Sequence, residues 1–186
     1  MKARLFVIAG PSGVGKGTVI KGLLENNENI ALSVSSTTRK PRPNEVDGVN
    51  YNFLTEEQFE KAIENNEFLE WAIYNGNHYG TSKTTVDNTL KNGKSIILEI
   101  EIQGALQVME KCKDAVFIFI LPPSYEELEK RLRGRNTEDE QTIRNRLKIT
   151  QKELEIGKNF KYSVVNDSVE NAVSKINEII KKECEC

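Results

Sequence analysis

Lys16 follows Gly10, Gly13 and Gly15 in the stretch FVIAGPSGVGKGTVI, which completes the pattern G-x-x-x-x-G-K. Glycines in such a turn let the backbone point its N–H groups inward around a phosphate. The following helix start adds partial positive charge, and the lysine reaches the outer phosphates. The apolar run before the glycines and the helical spacing of Val19, Ile20, Leu23 and Leu24 after them give the turn its required setting, a strand before and a helix after. The residue after the lysine is Gly17, so the hydroxyl that commonly touches Mg²⁺ at that place is missing. Thr18 is the nearest hydroxyl, roughly 100° around the helix from position 17. A phosphate loop alone does not separate an ATPase, a GTPase and a kinase.

Two further stretches carry groups suited to phosphate and base recognition. In SVSSTTRKPRPNEVDGVNYNF, Arg39, Lys40 and Arg42 stand beside hydroxyls and Tyr51. This is either a solvated basic turn or a clamp, since a guanidinium pairs bidentately with a phosphate. In NEFLEWAIYNGNHYGTS, Glu70 lies between Leu69 and Trp71. It is either the solvent-side residue of a strand or a base reader. An ionised carboxylate only accepts hydrogen bonds, and guanine offers N1–H and an exocyclic amine side by side where adenine does not. In SIILEIEI, Glu99 and Glu101 are two apart on an expected strand, so both face one way and Ile100 and Ile102 the other. Acidic groups near the carboxyl end of a parallel strand sit where such sheets bind ligands.

The elements that must hold these groups read as strands alternating with helices. Residues 4–9, 95–102 and 115–121 are near-continuous apolar runs, the mark of strands buried on both faces, and residues 162–165 form a last strand. Ser124 and Glu127 predict a capping box for a helix carrying Leu128 and Leu132, followed by a long polar helix over about 138–156. Ser168 opens a final helix with Val169, Val173, Ile176 and Ile180 on its inner stripe. This alternation implies an α/β fold, a parallel sheet covered on both faces. Residues 33–83 break the rhythm with short strands, frequent turns and many aromatics. Thr55 and Gln58 cap a short helix there, with Phe59 and Ile63 inward. The segment reads as a small mixed insert on the core.

The bulk properties narrow the function. The 186 residues suit one domain. A net charge of −2 and a pI of about 5.7 leave no electrostatic footprint for nucleic acid or an anionic membrane. One histidine and the three cysteines Cys112, Cys184 and Cys186 make a zinc site a poor expectation and suit reduced thiols in the cytoplasm. The apolar run at the N-terminus ends at Gly10, too soon for a signal peptide, and no run is long enough to span a bilayer.

The ordered series GPSGVGKGT, SSTTRKPRPNEVDGVNYNF, EFLEWA, YGTS, LEIEIQGA, RLRGRNTE, IRNRL and VVND, spread over nearly the whole chain, resembles the guanylate kinase family. The resemblance implies a P-loop nucleoside monophosphate kinase fold and Mg²⁺-dependent transfer of the ATP γ-phosphoryl group to GMP, and to dGMP as well. It also implies a division of one domain into a core (about 1–32, 84–124 and 157–186), a GMP-binding insert (about 33–83) and a helical lid (about 125–156). ATP would lie on Gly10, Pro11, Ser12, Gly13, Val14, Gly15, Lys16, Gly17 and Thr18, with Arg131, Arg135 and Asn166. GMP would lie on Ser35, Arg39, Arg42, Tyr51, Glu70, Tyr79, Gly80, Thr81, Glu99, Glu101 and Gly104. Lys16, Arg39, Arg42, Arg135 and Arg146 would be catalytic. No direct protein ligand for Mg²⁺ is secured; Glu99 or Glu101 would reach it through water. Two departures stand out. Many relatives have Ser where this chain has Gly17, and the family often has Asp where this chain has Glu101.

The acceptor is already an anion, so the lone His78 is expected to be structural. The expected partners are ATP and GMP, and the expected state a monomer or weak homodimer. The rival readings are a monophosphate kinase for another base, which Glu70 opposes, and a non-catalytic scaffold domain of the same fold, which the intact Lys16, Arg39 and Arg42 oppose.

Overall fold

The computed structural model describes residues 2–134 and 140–185. Its core is a five-stranded sheet of β1 (Leu5–Ala9), β2 (Ile30–Leu32), β7 (Ser95–Glu99), β8 (Val116–Leu121) and β9 (Tyr162–Val165), in the order β2-β7-β1-β8-β9. All neighbouring strands run parallel. Side chains alternate across each strand, so β1 feeds two cores at once. Phe6 and Ile8 pack with α1 (Lys16–Glu25) and α7 (Val169–Glu185) through Ile20, Leu23, Ala172 and Ile176. Leu5, Val7 and Ala9 point the other way, toward Val86 of α3 (Lys83–Lys91) and Ala105 and Val108 of α4 (Ile102–Lys111). Phe6 and Ile8 are fully buried, and burial of each such side chain contributes about 1.5–3 kcal/mol.

A second sheet, of β3 (Ser36–Thr37), β4 (Asn52–Phe53), β5 (Phe68–Tyr74) and β6 (Asn77–Ser82), has the order β4-β3-β6-β5. It closes on α2 (Glu56–Glu64) through a small core of its own, in which Phe59 and Phe68 stack at 4.5 Å. The expected cap is present in full: Gln58 N–H donates to Thr55 Oγ1 at 3.1 Å and Thr55 N–H donates to Gln58 Oε1 at 2.8 Å. The sheet hangs beyond the carboxyl ends of β2 and β7, and a cleft lies between the two sheets.

Several expected elements differ in extent. The strand expected over 95–102 ends at Glu99, because Ile102, Ala105 and Val108 carry a helical spacing that begins α4. Glu101 is the residue before that helix, with φ −73° and ψ 161°, so Glu99 and Glu101 do not share a strand face as expected. Ile100 and Ile102 are nevertheless both buried. Only half of the second expected capping box forms. Ser124 Oγ accepts from Glu127 N–H at 3.1 Å, while the Glu127 carboxylate turns to Arg131 at 3.0 Å within α5 (Tyr125–Arg133). Strand β2 and helices α3 and α4 had no sequence expectation. The long polar helix is α6 (Glu140–Gly157); the start expected near residue 138 lies outside the described residues.

Candidate functional site

The loop after β1 carries the first half of the site. Gly15 has φ +95°, and a Cβ there would come within 2.7 Å of Asn166 Nδ2. Asn166 is 5% exposed and donates from Nδ2 to the Val14 carbonyl at 2.7 Å, while its own N–H reaches the Leu121 carbonyl at 2.8 Å. The end of β9 therefore fixes the loop from beneath. Lys16 opens α1, and its ammonium donates to the carbonyl of Gly10 at 2.6 Å and of Pro11 at 3.4 Å. A Cβ added at Gly17 would meet only Glu99 Oε1, at 3.7 Å, so the glycine leaves an open gap between the loop and that carboxylate. Thr18 is exposed.

The cleft between the sheets, about 270 Å³, gathers Lys16, Glu99 and Glu101 from the core and Ser35, Arg39, Arg42, Tyr51, Glu70, Tyr79 and Gly80 from the second sheet and its loops. Arg39 is the best-oriented cation there. Its guanidinium donates to Glu45 Oε1 at 2.8 Å and Oε2 at 3.0 Å, and its Cζ lies 5.2 Å from the Tyr51 ring centre. Arg42 donates its backbone N–H to Glu45 Oε2 at 2.8 Å, so one carboxylate sets both arginine segments. Burial pushes the Tyr51 phenol up.

Glu70 lies on β5 and is only 3% exposed. Thr81 Oγ1, directly across on β6, donates to Glu70 Oε1 at 2.6 Å. Burial raises the Glu70 pKa, against the pull of the Thr81 hydrogen bond and of the Lys111 charge. Gly104 of α4 sits against this carboxylate; a Cβ there would overlap Glu70 Oε2. Thr81 and Gly104 thus join the site as supports of Glu70. The expected solvent-side alternative for Glu70 is excluded by its burial.

His78 stands apart from the cleft, its Nδ1 2.8 Å from Glu56 Oε2 and its ring 5.1 Å from that of Phe59. Arg131 pairs with Glu127 and reaches the Asn166 carbonyl at 3.5 Å, beside the phosphate loop. Arg146 is half-buried on α6 and is not among the residues that line the cleft. Arg135 lies outside the described residues.

Three residues of the site were not expected from the sequence. Glu45 is one. Ser33 is another, a buried hydroxyl on the cleft wall without a hydrogen-bond partner among the described residues. The third is Glu153, which follows Ile143, Leu147 and Thr150 along the buried stripe of α6; a carboxylate on that stripe was the available signal. Burial and the nearby Glu101 charge raise its pKa to about 7, opposed by Lys16. Burial likewise raises Glu99, again opposed by Lys16.

The sign of the Glu153 effect on stability follows from its raised pKa. Below the ordinary value of 4.5 the group is protonated in both folded and unfolded chains. As pH rises from there through about 7, ionisation destabilises the fold, and the full penalty remains above it. Glu153→Gln is expected to stabilise the protein at pH 8 by about 1 kcal/mol after screening by solvent, or about 2–4 °C in Tm, and to do nothing at pH 4. Thermal melts at both values check this; an equal shift at each would remove charge as the cause.

Comparison with known proteins agrees with these features. The guanylate kinase family model matches residues 2–183. A guanylate kinase of Clostridium perfringens is 54% identical over 96% of this chain and 83% of its own length. One of Halalkalibacterium halodurans is 52% identical over 98% and 89%. The crystal structure of guanylate kinase from Anaplasma phagocytophilum superposes with a TM-score of 0.81 at 33% identity, covering 98% of this chain and 86% of that one.

Proposed function

The chain belongs to the guanylate kinase family and is a kinase of GMP, and on that basis we propose how its residues divide the transfer between two nucleotides. The observation that carries the assignment is the cleft itself, with Lys16 on one wall and Arg39, Arg42 and the buried Glu70 on the other. ATP binds with its phosphates on residues 10–18. The backbone N–H groups of the loop hold them, and Lys16 exchanges its two loop carbonyls for the outer phosphates. Arg131, Arg135 and Asn166 serve the ATP side, and Arg135 and Arg146 reach the transferring phosphates when the site closes. GMP binds with its phosphate between Ser35, Arg39, Arg42, Tyr51 and Tyr79, and with its guanine against Glu70 and Thr81. Gly104 leaves room for the Glu70 carboxylate itself, and Gly80, on the cleft wall, leaves room for Phe59 and Phe68 behind it.

A phosphate oxygen of GMP is the nucleophile and is already anionic. The protein therefore aligns two polyanions and neutralises their repulsion, with no general base. Mg²⁺ fits the gap left by Gly17 beside the Glu99 carboxylate, since this metal keeps several waters and tolerates few protein ligands. It would supply charge neutralisation at the phosphates, with Glu99 or Glu101 reaching it through water. Residues 125–156 form a lid and residues 33–83 close with GMP, which excludes water from the transfer. The net charge of −2 favours nucleotides over nucleic acid or membrane as partners. The protein works in the cytoplasm as a monomer or weak homodimer, and takes dGMP as well as GMP.

The test supplies Mg²⁺, ATP and one acceptor at a time, from GMP, AMP, CMP, UMP and dTMP, with a no-acceptor control, and reads ADP. ADP is expected with GMP alone. Glu70→Gln is expected to raise KM for GMP about tenfold or more while KM for ATP stays near its starting value. An equal loss for both nucleotides would remove the base-reading role.

A further inference from the structure

Strand β5 lies at the edge of its sheet, pairs among the described residues only with β6, and has an irregular register between Phe68 and Glu70. Such an irregularity leaves backbone groups unpaired and re-aims the neighbouring side chains. Here the outward-facing backbone groups of the edge strand find their partners on α4. The Gln107 side chain behaves as a strand of one residue: Oε1 accepts from Trp71 N–H at 3.2 Å, and Nε2 donates to the Trp71 carbonyl at 2.6 Å. One turn on, Lys111 Nζ donates to the Leu69 carbonyl at 2.7 Å. These bonds grip the backbone on each side of Glu70. Three residues before Gln107, Gly104 lets the same helix face approach the Glu70 carboxylate. Ala105 and Val108 anchor α4 in the main core.

We propose that Gln107 and Lys111 are positioning residues for base selection: they lock the β5 edge to α4, so that Glu70 presents both carboxylate oxygens side by side to a purine with adjacent N1–H and amino donors. The proposal rests on the reading of Glu70 as the guanine reader. Without the lock, β5 is free to shift by a fraction of a hydrogen-bond length. One carboxylate oxygen, held by Thr81, stays in place, and the pairing to the second donor is lost. Discrimination then falls more than affinity does, because a nucleotide lacking the exocyclic amine never used that second pairing.

IMP is such a nucleotide, so the ratio of kcat/KM for GMP to that for IMP reads the geometry. It is measured for the unaltered protein and for Glu70→Gln, Gln107→Leu, Lys111→Met and Lys111→Arg. Gln107→Leu is expected to lower the ratio about tenfold, and Lys111→Met to lower it less, with KM for ATP and kcat at saturating GMP held. Lys111→Arg keeps a donor and its charge and is expected to keep the ratio. Equal losses for GMP and IMP in both Gln107→Leu and Lys111→Met, beside a collapsed ratio in Glu70→Gln, would overturn the positioning role and leave the guanine reading intact. An unchanged ratio in Glu70→Gln would overturn both. Lys111→Met changes only a side-chain tip on the helix surface, and so carries the test if Gln107→Leu fails to fold.

Discussion

Lys16→Met is expected to lower kcat/KM for phosphoryl transfer by about 10³ or more, with the fold intact. Among the described residues the side chain donates only to carbonyls of its own loop, at 2.6 Å and 3.4 Å. Its loss in the free protein therefore removes about 1 kcal/mol of hydrogen bonding and no core packing. In the proposed complex the same ammonium lies among phosphates whose charge spreads during transfer. Stabilisation there grows as the reaction proceeds, so kcat falls with kcat/KM. A second effect accompanies the first. Lys16 opposes the upward shifts of Glu99 and Glu153, so its removal leaves both carboxylates protonated to higher pH. Single-turnover ADP formation, ATP titration and a thermal melt check the three parts. A variant that keeps a tenth of the activity would refute the phosphate-cradle assignment.

Arg39→Ala carries the next largest expected loss, about 10²–10³ in kcat/KM for GMP with KM for ATP little changed. The guanidinium is oriented before any ligand arrives: a fork to Glu45 fixes its plane and the Tyr51 ring fixes one face. Glu45 and the Lys40 carbonyl take both Nη1 hydrogens and one of Nη2, so the Nε–Nη2 edge is what remains to meet two phosphate oxygens, and a lysine cannot imitate that planar edge. Arg39→Lys is thus expected to recover less than a tenth of the loss. Glu45→Gln keeps one acceptor oxygen but loses the charge and half of the fork, and is expected to raise KM for GMP severalfold. Steady-state kinetics in GMP at saturating ATP separate these. Arg39→Ala with an unchanged KM and kcat for GMP would return this segment to a solvated basic turn.

What the sequence revealed depends on how local each feature is. The phosphate loop was legible because strand, glycines, lysine and helix lie within one short stretch, and the physical reason for each is local. The buried strands and the caps at Thr55 and Ser168 were legible for the same reason. The place of Glu101 was not: a strict alternation of acids and isoleucines reads as strand, and only the helical spacing running on through Ala105 and Val108 turns it into a helix start. β2 is short and half-exposed, so it has no apolar run to announce it. The partners of the site residues were the least visible. Arg39 and Glu45 meet across a loop of two prolines, and Gln107 reaches Trp71 across 36 residues. Neither meeting leaves a periodic trace in the chain.

The bond from Asn166 to the Val14 carbonyl joins positions 152 residues apart. Ribosomes extend chains at about 5–20 residues per second, so about 8–30 s separate the synthesis of the two ends of that bond. During this interval the phosphate loop has its own glycines and lysine but no floor. A nascent chain is therefore expected to complete the proposed ATP loop late, when β9 adds to β8 and brings Asn166 under it. Nucleotide binding would then report that the last strand has docked.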